Sequence, residues 1–301
     1  MIGIDINGGL GNQLFQFATG YAVSRKNDDN LLLNTSTYDI EFQKINNLTI
    51  RTFQLDKFNI KANTITLKIN SHSSKISKLA NRVKKINTVG TIFNTKFYKE
   101  SNPYEYNPDI YNYKNNTYLC GYFQSWKYFD EYRNELKQQL SIQKTQLSEG
   151  AIRICNQCKT SKSIALHIRR GDYINTSDWL IDERFYLEAL KRLGSLIDLD
   201  SCRIYVFCDQ EGFAEKLLKD FKNVVFVSAF NLFTDLEEFW MMKSCNNHII
   251  SNSSFSWWAA YLCDNREQIV FAPAYKQWNT EFYLPNWHTI SSVSANLHEG
   301  K

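Results

Sequence analysis

The chain of 301 residues has a formal net charge of +4 at pH 7, and 43% of its residues are hydrophobic. This length predicts two domains of about 150 residues each, and so mild a charge argues against a nucleic-acid-binding protein. No stretch reaches the roughly 18–20 apolar residues of a membrane-spanning helix, and no secretory signal opens the sequence, so we expect a cytoplasmic globular protein.

The first predicted elements are a short buried strand at Ile2–Ile6, a glycine-rich turn at Asn7–Gly11 and a long helix. This order resembles the dinucleotide-binding loop G-x-G-x-x-G, but Leu14 occupies the place of the third glycine. A dinucleotide-dependent oxidoreductase therefore stays an alternative. The pattern favours close approach of a ligand to the backbone, with the amides of Asn12 and Gln13 at the helix start.

A second strand is predicted at Leu31–Leu33, and it leads into an irregular region, residues 35–116, that is rich in Asn and Thr. We expect this region to consist mainly of loops. A further strand is predicted at 117–123. Apolar side chains at helical spacing then predict one amphipathic helix over Trp126–Leu140.

The second half of the chain alternates strands with helical patterns, which predicts a parallel, doubly wound α/β sheet. Ligands of such sheets bind beyond the C-terminal ends of the strands. We place the domain boundary so that residues 1–145 and 146–301 form the two domains. The predicted strands are Ser163–Ile168, Arg203–Phe207, Asn223–Val227, Asn247–Ile250 and Gln268–Phe271, and the predicted helices span about 184–194, 211–221, 234–244 and 254–263.

The sequence HIRRGDY, residues 167–173, ends the first of these strands. Side chains alternate faces along a strand, so His167 and Arg169 would share one face and Arg170 would point away. The planar guanidinium of an arginine binds phosphate through two charge-assisted hydrogen bonds. The alternative is a strand end with two solvated arginines. Asp172 either caps the following turn or holds an arginine.

The sequence NHIISNSSFSWWAAYL, residues 247–262, runs from a strand into a helix. Ser and Asn are good helix caps, and the free N–H groups of a helix N-terminus attract anions. The hydroxyls of Ser253 or Ser254 would add a hydrogen bond to a phosphate, and plain capping is the alternative. We expect Trp257, Trp258 and Tyr261 to pack in the core.

Metal binding has little support in the sequence. The pair Asp198 and Asp200 precedes a strand and so lies at the wrong end of a parallel sheet, whereas Asp209 follows that strand. Cys155 and Cys158 form a lone C-x-x-C without a second pair. The seven cysteines are an odd number, which is typical of reduced thiols in a cytosolic protein.

Three stretches together resemble the bacterial α-1,2-fucosyltransferases of glycosyltransferase family 11, which are related to the blood-group H enzymes. They are GGLGNQLFQFATGYA, HIRRGDY and SNSSFSWWAAYL. The resemblance implies a GT-B-type α/β fold of two facing Rossmann-like domains, with GDP-fucose bound mainly by the C-terminal one. It implies inverting, metal-independent transfer of L-fucose from GDP-β-L-fucose to the 2-hydroxyl of a galactose. The implied acceptor is an oligosaccharide of O-antigen or another surface glycan, lipid-linked in many such pathways.

The resemblance also implies roles for individual residues. Arg169 would contact the diphosphate, and Asn12 would face the reaction centre from the acceptor side. We add Asp209 as a ribose or base contact, and the identity of the catalytic base stays open. The candidate catalytic residues are Arg169, His167, Asn12 and Asp172; the candidate donor-binding residues are Arg169, His167, Asp209, Asn252, Ser253, Ser254, Phe255, Gly9 and Gly11.

A basic segment has no role in that resemblance. Residues 61–100 contain nine Lys or Arg and one acidic residue, Glu100. Within it, residues 75–86 would form a helix with an apolar face, which is either a helix at an anionic membrane surface on the inner face of the cytoplasmic membrane or a solvated helix. A non-catalytic sugar-binding protein is a further alternative, against which His167, Arg169 and Asn12 argue.

Overall fold

The computed structural model describes residues 1–66, 96–142, 144–171, 179–274 and 281–291. The chain divides into two compact units, Met1–Ile142 and Gln143–Lys301, here called unit 1 and unit 2. Among the helices of the described ranges, none is both long and apolar enough to cross a bilayer.

Unit 1 is built on a parallel sheet of five strands. Their spatial order is β3-β2-β1-β5-β4. The strands are β1 (Ile2–Asp5), β2 (Leu31–Asn34), β3 (Asn63–Ile65), β4 (Lys96–Lys99) and β5 (Thr117–Cys120), and the helices are α1 (Leu10–Lys26), α2 (Ile40–Ile45) and α3 (Arg133–Gln139).

One expectation for unit 1 holds and one needs correction. The described parts of the region 35–116 consist mainly of loops, as expected, and the short elements β3, β4 and α2 lie within them. The single helix predicted over Trp126–Leu140 is wrong, since two short 3-10 turns precede α3. The Ser125 side chain caps the first turn, and Phe129, which is fully buried, breaks the helical backbone with a φ of −144°. Burial of aromatic rings thus overrides the helical spacing. The predicted helix at 75–86 lies outside the described residues.

Unit 2 is built on a parallel sheet of six strands in the order β11-β10-β9-β6-β7-β8. The five strands predicted for this half are confirmed, with small shifts of their ends. The strand β11 and the helix α4 were missed. The strands are β6 (Ser163–Ile168), β7 (Arg203–Cys208), β8 (Val224–Phe226), β9 (Asn247–Ile249), β10 (Val270–Ala274) and β11 (His288–Ser291), and the helices are α4 (Glu149–Thr160), α5 (Glu183–Gly194), α6 (Glu211–Leu217), α7 (Asp235–Lys243) and α8 (Ser254–Tyr261).

The side chains of β6 separate core from site. Ile164, Leu166 and Ile168 lie in the main hydrophobic cluster of unit 2, packed with residues of α5. His167 lies outside that cluster, and its ring is hydrogen-bonded to the hydroxyl of Ser251, which follows the neighbouring strand β9. The period-2 pattern of the strand therefore places apolar groups on one face and the polar group on the other.

Each sheet has a point at which the strand order reverses. In unit 2, the chain moves outward from β6 through β7 to β8 and then returns to start again at β9, which is the order of a Rossmann sheet. In unit 1, the corresponding neighbours are β1 and β5. Crevices beyond the C-terminal ends of strands at such points are the usual ligand sites of α/β proteins. The glycine-rich loop follows β1, and HIRRGDY and SNSSFSWW follow β6 and β9.

Candidate functional site

In unit 2, His167 stands at the end of β6 and is almost completely buried. Its Nδ1 lies 2.9 Å from the Ser251 hydroxyl oxygen, and its ring centroid is 5.9 Å from that of Phe255. Burial, with a smaller contribution from the positive charge of Arg169, lowers the pKa of His167 to about 3. The imidazole is therefore neutral at physiological pH and acts as a fixed hydrogen-bonding group.

The two arginines of HIRRGDY have different environments. The Arg169 Nη1 lies 3.1 Å from Oδ2 of Asp209, the residue that follows β7. The Arg170 guanidinium lies 3.8 Å from the ring centroid of Phe213, and its Nε donates to Gln210 at 3.1 Å. Arg170 reaches Asp209 only through its backbone N–H, at 2.8 Å. Arg169 thus pairs with the acidic residue at the strand ends, whereas the Arg170 side chain stacks on α6.

The start of α8 lies at the same edge of the sheet. Ser253 is the N-cap residue, and its hydroxyl accepts a hydrogen bond from the Phe255 N–H at 3.3 Å. Asn252 is buried, and its Nδ2 donates to the Trp179 carbonyl at 2.7 Å. The Asn252 Oδ1 has no partner among the described residues. A buried acceptor of this kind is costly unless another group binds it.

The aromatic residues of α8 pack in the core, as expected. Trp257 and Tyr261 stack with ring centroids 4.9 Å apart, and Trp257 donates through its indole N–H to the Phe282 carbonyl at 2.8 Å. Trp258 is also fully buried. The whole helix is therefore anchored behind its N-terminus, which fixes the position of Ser253 and Ser254.

Asp172 lies outside the described residues. Asp198 caps the 3-10 turn before β7, and Asp200 is 77% exposed, so this pair stands at the opposite edge of the sheet from Asp209. No cluster of three or more metal-ligating side chains occurs in the part of the chain that the structure describes.

In unit 1, the glycine-rich loop turns sharply into α1. Gly8 has a φ of +77°, and a Cβ there would lie 2.8 Å from the Asn12 Nδ2, so only glycine fits without strain. Gly9 is the N-cap residue of α1, and Gly11 is buried within the helix. Gly9, Gly11 and Asn12 therefore belong to unit 1, while the other described candidates belong to unit 2.

Three polar side chains of α1 fasten loops around this turn. The Asn12 Oδ1 accepts from the Gln124 side chain at 2.9 Å. Gln16 accepts from the Asn7 N–H at 2.9 Å and donates to the Gly121 carbonyl at 3.1 Å. Gln13 is fully buried and bonds the loops in the same way; its partners are the Gly8 and Thr52 carbonyls and the Gln54 N–H.

These loops surround a pocket of about 610 Å³, here called the unit-1 pocket. Its walls include Gly9 and Asn12, the rings of aromatic residues, and several amides and hydroxyls. Arg51 is the one charged residue of the lining as described. The volume is that of a small-molecule site. The aromatic residues of the lining are Tyr38, Phe42 and Tyr122.

Sequence reasoning missed two partly buried carboxyl groups, those of Glu100 and Glu238. Glu100 follows β4 and accepts hydrogen bonds from the N–H groups of Tyr122, at 2.7 Å, and Phe123, at 3.0 Å. Burial raises the pKa of Glu100 to about 7, although these bonds oppose the shift. Burial likewise raises the pKa of Glu238, on α7, to about 7, and Ser228 donates to it. The one signal for Glu100 in the sequence is that it is the single acidic residue of the basic segment 61–100.

Two Rossmann-like units, each with polar loops at the reversal point of its sheet, match the architecture of glycosyltransferases of the GT-B type. The chain belongs to glycosyl transferase family 11, whose sequence model matches residues 1–291. The expected fold class and family are thereby confirmed, and the protein is an enzyme.

Known relatives cover most of the chain. It is similar to the O-antigen biosynthesis glycosyltransferase WbnK of Escherichia coli, at 28% identity over 89% of this chain and 92% of that protein. It is similar to an alpha-1,2-colitosyltransferase of Escherichia coli, at 28% identity over 88% and 89%. A galactoside alpha-(1,2)-fucosyltransferase 2 of Bos taurus is 27% identical over 60% of this chain and 56% of its own length.

Among solved structures, the chain resembles a point mutant of Arabidopsis thaliana FUT1 in complex with GDP. The TM-score is 0.52 at 13% identity, over 91% of this chain and 70% of that chain. This likeness supports the fold.

Proposed function

We propose that this family 11 enzyme transfers L-fucose from GDP-β-L-fucose, with inversion, to the 2-hydroxyl of a galactose in an oligosaccharide acceptor. The observation that carries the proposal is the placement of Arg169 directly after β6, beside the start of α8, which follows the neighbouring strand β9. In the described part of unit 2, the Arg169 guanidinium and the N–H groups at the start of α8 are the groups best suited to bind a diphosphate. The relative named for O-antigen biosynthesis favours a surface glycan as the product.

On the donor side, the leaving group is GDP, whose diphosphate gains negative charge as the bond to the sugar breaks. A guanidinium held in place and the N–H groups of a helix N-terminus stabilise such charge without a metal ion. Arg169 and α8 would supply these groups. The Oδ1 of the buried Asn252 amide would accept a hydrogen bond from a hydroxyl group of the donor, and the neutral His167 would bind a further polar group of it.

On the acceptor side, the unit-1 pocket would bind the sugar that receives fucose. Aromatic rings pack against the C–H faces of sugars, and amides bind their hydroxyls. Asn12 lines the pocket and is oriented by Gln124, so its amide would hold the acceptor near the reacting hydroxyl. The named relatives include a galactoside enzyme, which supports galactose as that sugar.

A donor panel tests the proposal. The purified enzyme is incubated with a β-galactosyl disaccharide and GDP-fucose, GDP-colitose, UDP-galactose or GDP-mannose, with and without excess EDTA. We expect transfer from GDP-fucose that survives EDTA, and a new α-1,2 linkage by NMR. A colitosyltransferase relative makes GDP-colitose the second candidate donor.

The matched variant is Arg169→Lys, which keeps the positive charge but removes the planar guanidinium group. It should bind less GDP and lose transfer. Preference for UDP-galactose or GDP-mannose would contradict the proposed donor. Loss of transfer in EDTA would contradict the proposed metal independence. Binding of the disaccharide without turnover of any of these donors would also contradict the proposed donor.

A further inference from the structure

One wall of the unit-1 pocket is an irregular segment that two buried glutamines hold in place. The Gln43 side chain accepts from the Arg51 N–H at 2.7 Å and donates to the Arg51 carbonyl at 2.9 Å. The Gln13 side chain bonds Thr52 and Gln54, at 2.9 Å each. Both glutamines are buried. The backbone of Arg51 is thereby fixed at the pocket, although no helix or strand contains it.

The charge in this pocket is one-sided. Its described lining includes no Asp or Glu, and Arg51 is its one charged residue. Arg51 makes no ion pair with the described residues. Two carboxylates lie close behind the lining and are bonded to its backbone: Glu100 accepts from the Tyr122 N–H, and Asp39 accepts from the Phe42 N–H. Arg51 is the charged side chain that lines the pocket itself, and a single cation on a concave wall attracts an anion. An arginine fork fits a carboxylate through two parallel hydrogen bonds.

The remaining lining identifies the kind of molecule that carries the anion. Tyr38 and Phe42 contribute rings, and Tyr122 is 42% exposed. Neutral hydroxyl and amide groups, such as those of Thr37 and Asn46, complete the wall. Rings and neutral hydrogen-bonding groups suit a pyranose, and a bare inorganic anion would use neither.

We propose that the acceptor carries a carboxylate on the sugar next to the galactose, as a hexuronic acid does, and that Arg51 binds this carboxylate. Arg51 is thus a specificity-determining residue for an acidic oligosaccharide. The inference rests on the proposed function, since it takes the unit-1 pocket to be the acceptor site.

Two matched disaccharides test the inference, because they differ only at C6 of the second sugar. One is β-galactosyl glucuronic acid, and the other is β-galactosyl glucose with the same linkage. Their dissociation constants are measured by NMR titration in the presence of GDP, so that the readout needs no turnover. We expect the acidic disaccharide to bind at least 10-fold more tightly to the unaltered enzyme.

The variants are Arg51→Gln, Arg51→Lys and, as a control, Lys57→Gln. Lys57 is an exposed cation of the same unit outside the pocket lining. Arg51→Gln should remove the preference for the acidic disaccharide, so that the two dissociation constants become equal within about 2-fold. Arg51→Lys should keep part of the preference, and Lys57→Gln should keep all of it. Equal thermal unfolding midpoints confirm that the variants fold.

Equal affinity of the unaltered enzyme for both disaccharides, or measurable affinity for neither, overturns the inference. So does a loss in Arg51→Gln that affects both disaccharides alike. The proposed function is judged separately, by GDP binding and by transfer to the neutral disaccharide. Transfer from GDP-fucose without a preference for the acid would therefore defeat this inference and leave the proposed function standing.

Discussion

The guanidinium of Arg169 and the carboxylate of Asp209 lie 3.1 Å apart and join the residues that follow two neighbouring strands, β6 and β7. Both side chains are partly exposed, at 30% and 23%. The same carboxylate accepts from the Arg170 N–H. Asp209 therefore pairs with Arg169 and holds the backbone beside it, and the ribose or base contact expected of Asp209 stays a prediction.

The first prediction concerns that pairing. Asp209→Asn keeps an oxygen for the Arg170 N–H but loses the charged partner of Arg169. Because hydrogen bonds to charged groups contribute about 1.5–3 kcal/mol, we expect the affinity for GDP to fall roughly 10-fold. Isothermal titration calorimetry measures it. Asp200→Asn, an exposed acid at the opposite edge, is the control, and equal affinities of the two variants would show that the pairing does not orient Arg169 for GDP.

The second prediction separates the two arginines. Arg169→Lys should reduce transfer more than about 100-fold, since lysine cannot make the forked contact with a diphosphate. Arg170→Lys should leave transfer within a few-fold. It should lower stability by about 1 kcal/mol through the lost stacking on Phe213 and the lost bond to Gln210. Initial rates and urea unfolding measure both. An equal loss of the transfer rate in the two variants would show that the different environments of Arg169 and Arg170 have no effect on function.

The third prediction concerns the buried amide of Gln13. Gln13→Met keeps the volume but leaves the Thr52 carbonyl and the Gln54 N–H without their partner. Each unsatisfied group costs about 1–3 kcal/mol, so the free energy of unfolding should fall by that order. The acceptor KM should rise while the affinity for GDP stays constant. Gln138→Met, an exposed glutamine on α3, should change neither quantity, and an unchanged acceptor KM in Gln13→Met would be evidence against the pocket as the acceptor site.

The fourth prediction follows from the pKa of Glu100, which burial raises from 4.5 to about 7. Folding therefore favours the protonated carboxyl. Its contribution to stability is fully present below about pH 4.5 and is lost as the pH rises through 7. Glu100→Gln is neutral throughout, so the free energy of unfolding of the unaltered protein should fall relative to this variant by about 1–3 kcal/mol between pH 4.5 and 8. Urea unfolding at several pH values measures the difference, and parallel curves would contradict it.

Much of unit 2 could be predicted because its signals are local. The alternation of Ile164, Leu166 and Ile168 with His167 specifies both the strand and the polar face of β6, and each predicted helix shows its own apolar spacing. The site residues of this unit follow from that sheet, since they stand at strand ends and at one helix start.

The missing parts depend on contacts that are distant in the sequence. Nothing near Gln13 or Gln16 indicates that they bond to residues 52 and 121, so the unit-1 pocket could not be foreseen. The burial of Phe129 breaks a helix that its spacing alone would continue. The sequence shows Glu100 only as the single acidic residue of the basic segment, because its burial depends on the packing of β4 beside β5.

The hydrogen bonds of α1 also set an order of folding during synthesis. Gln13 bonds residues 39 and 41 positions away, whereas the bonds of Gln16 and Asn12 to the segment after β5 span 105 and 112 positions. The growing chain can pair β1 with β2 early, but those two amides must wait until residue 124 has left the ribosome. Until then the pocket lacks the wall formed by Gly121 and Tyr122, and two polar side chains of α1 stay hydrated. A nascent chain halted before β5 should thus have a partial sheet and an incomplete unit-1 pocket.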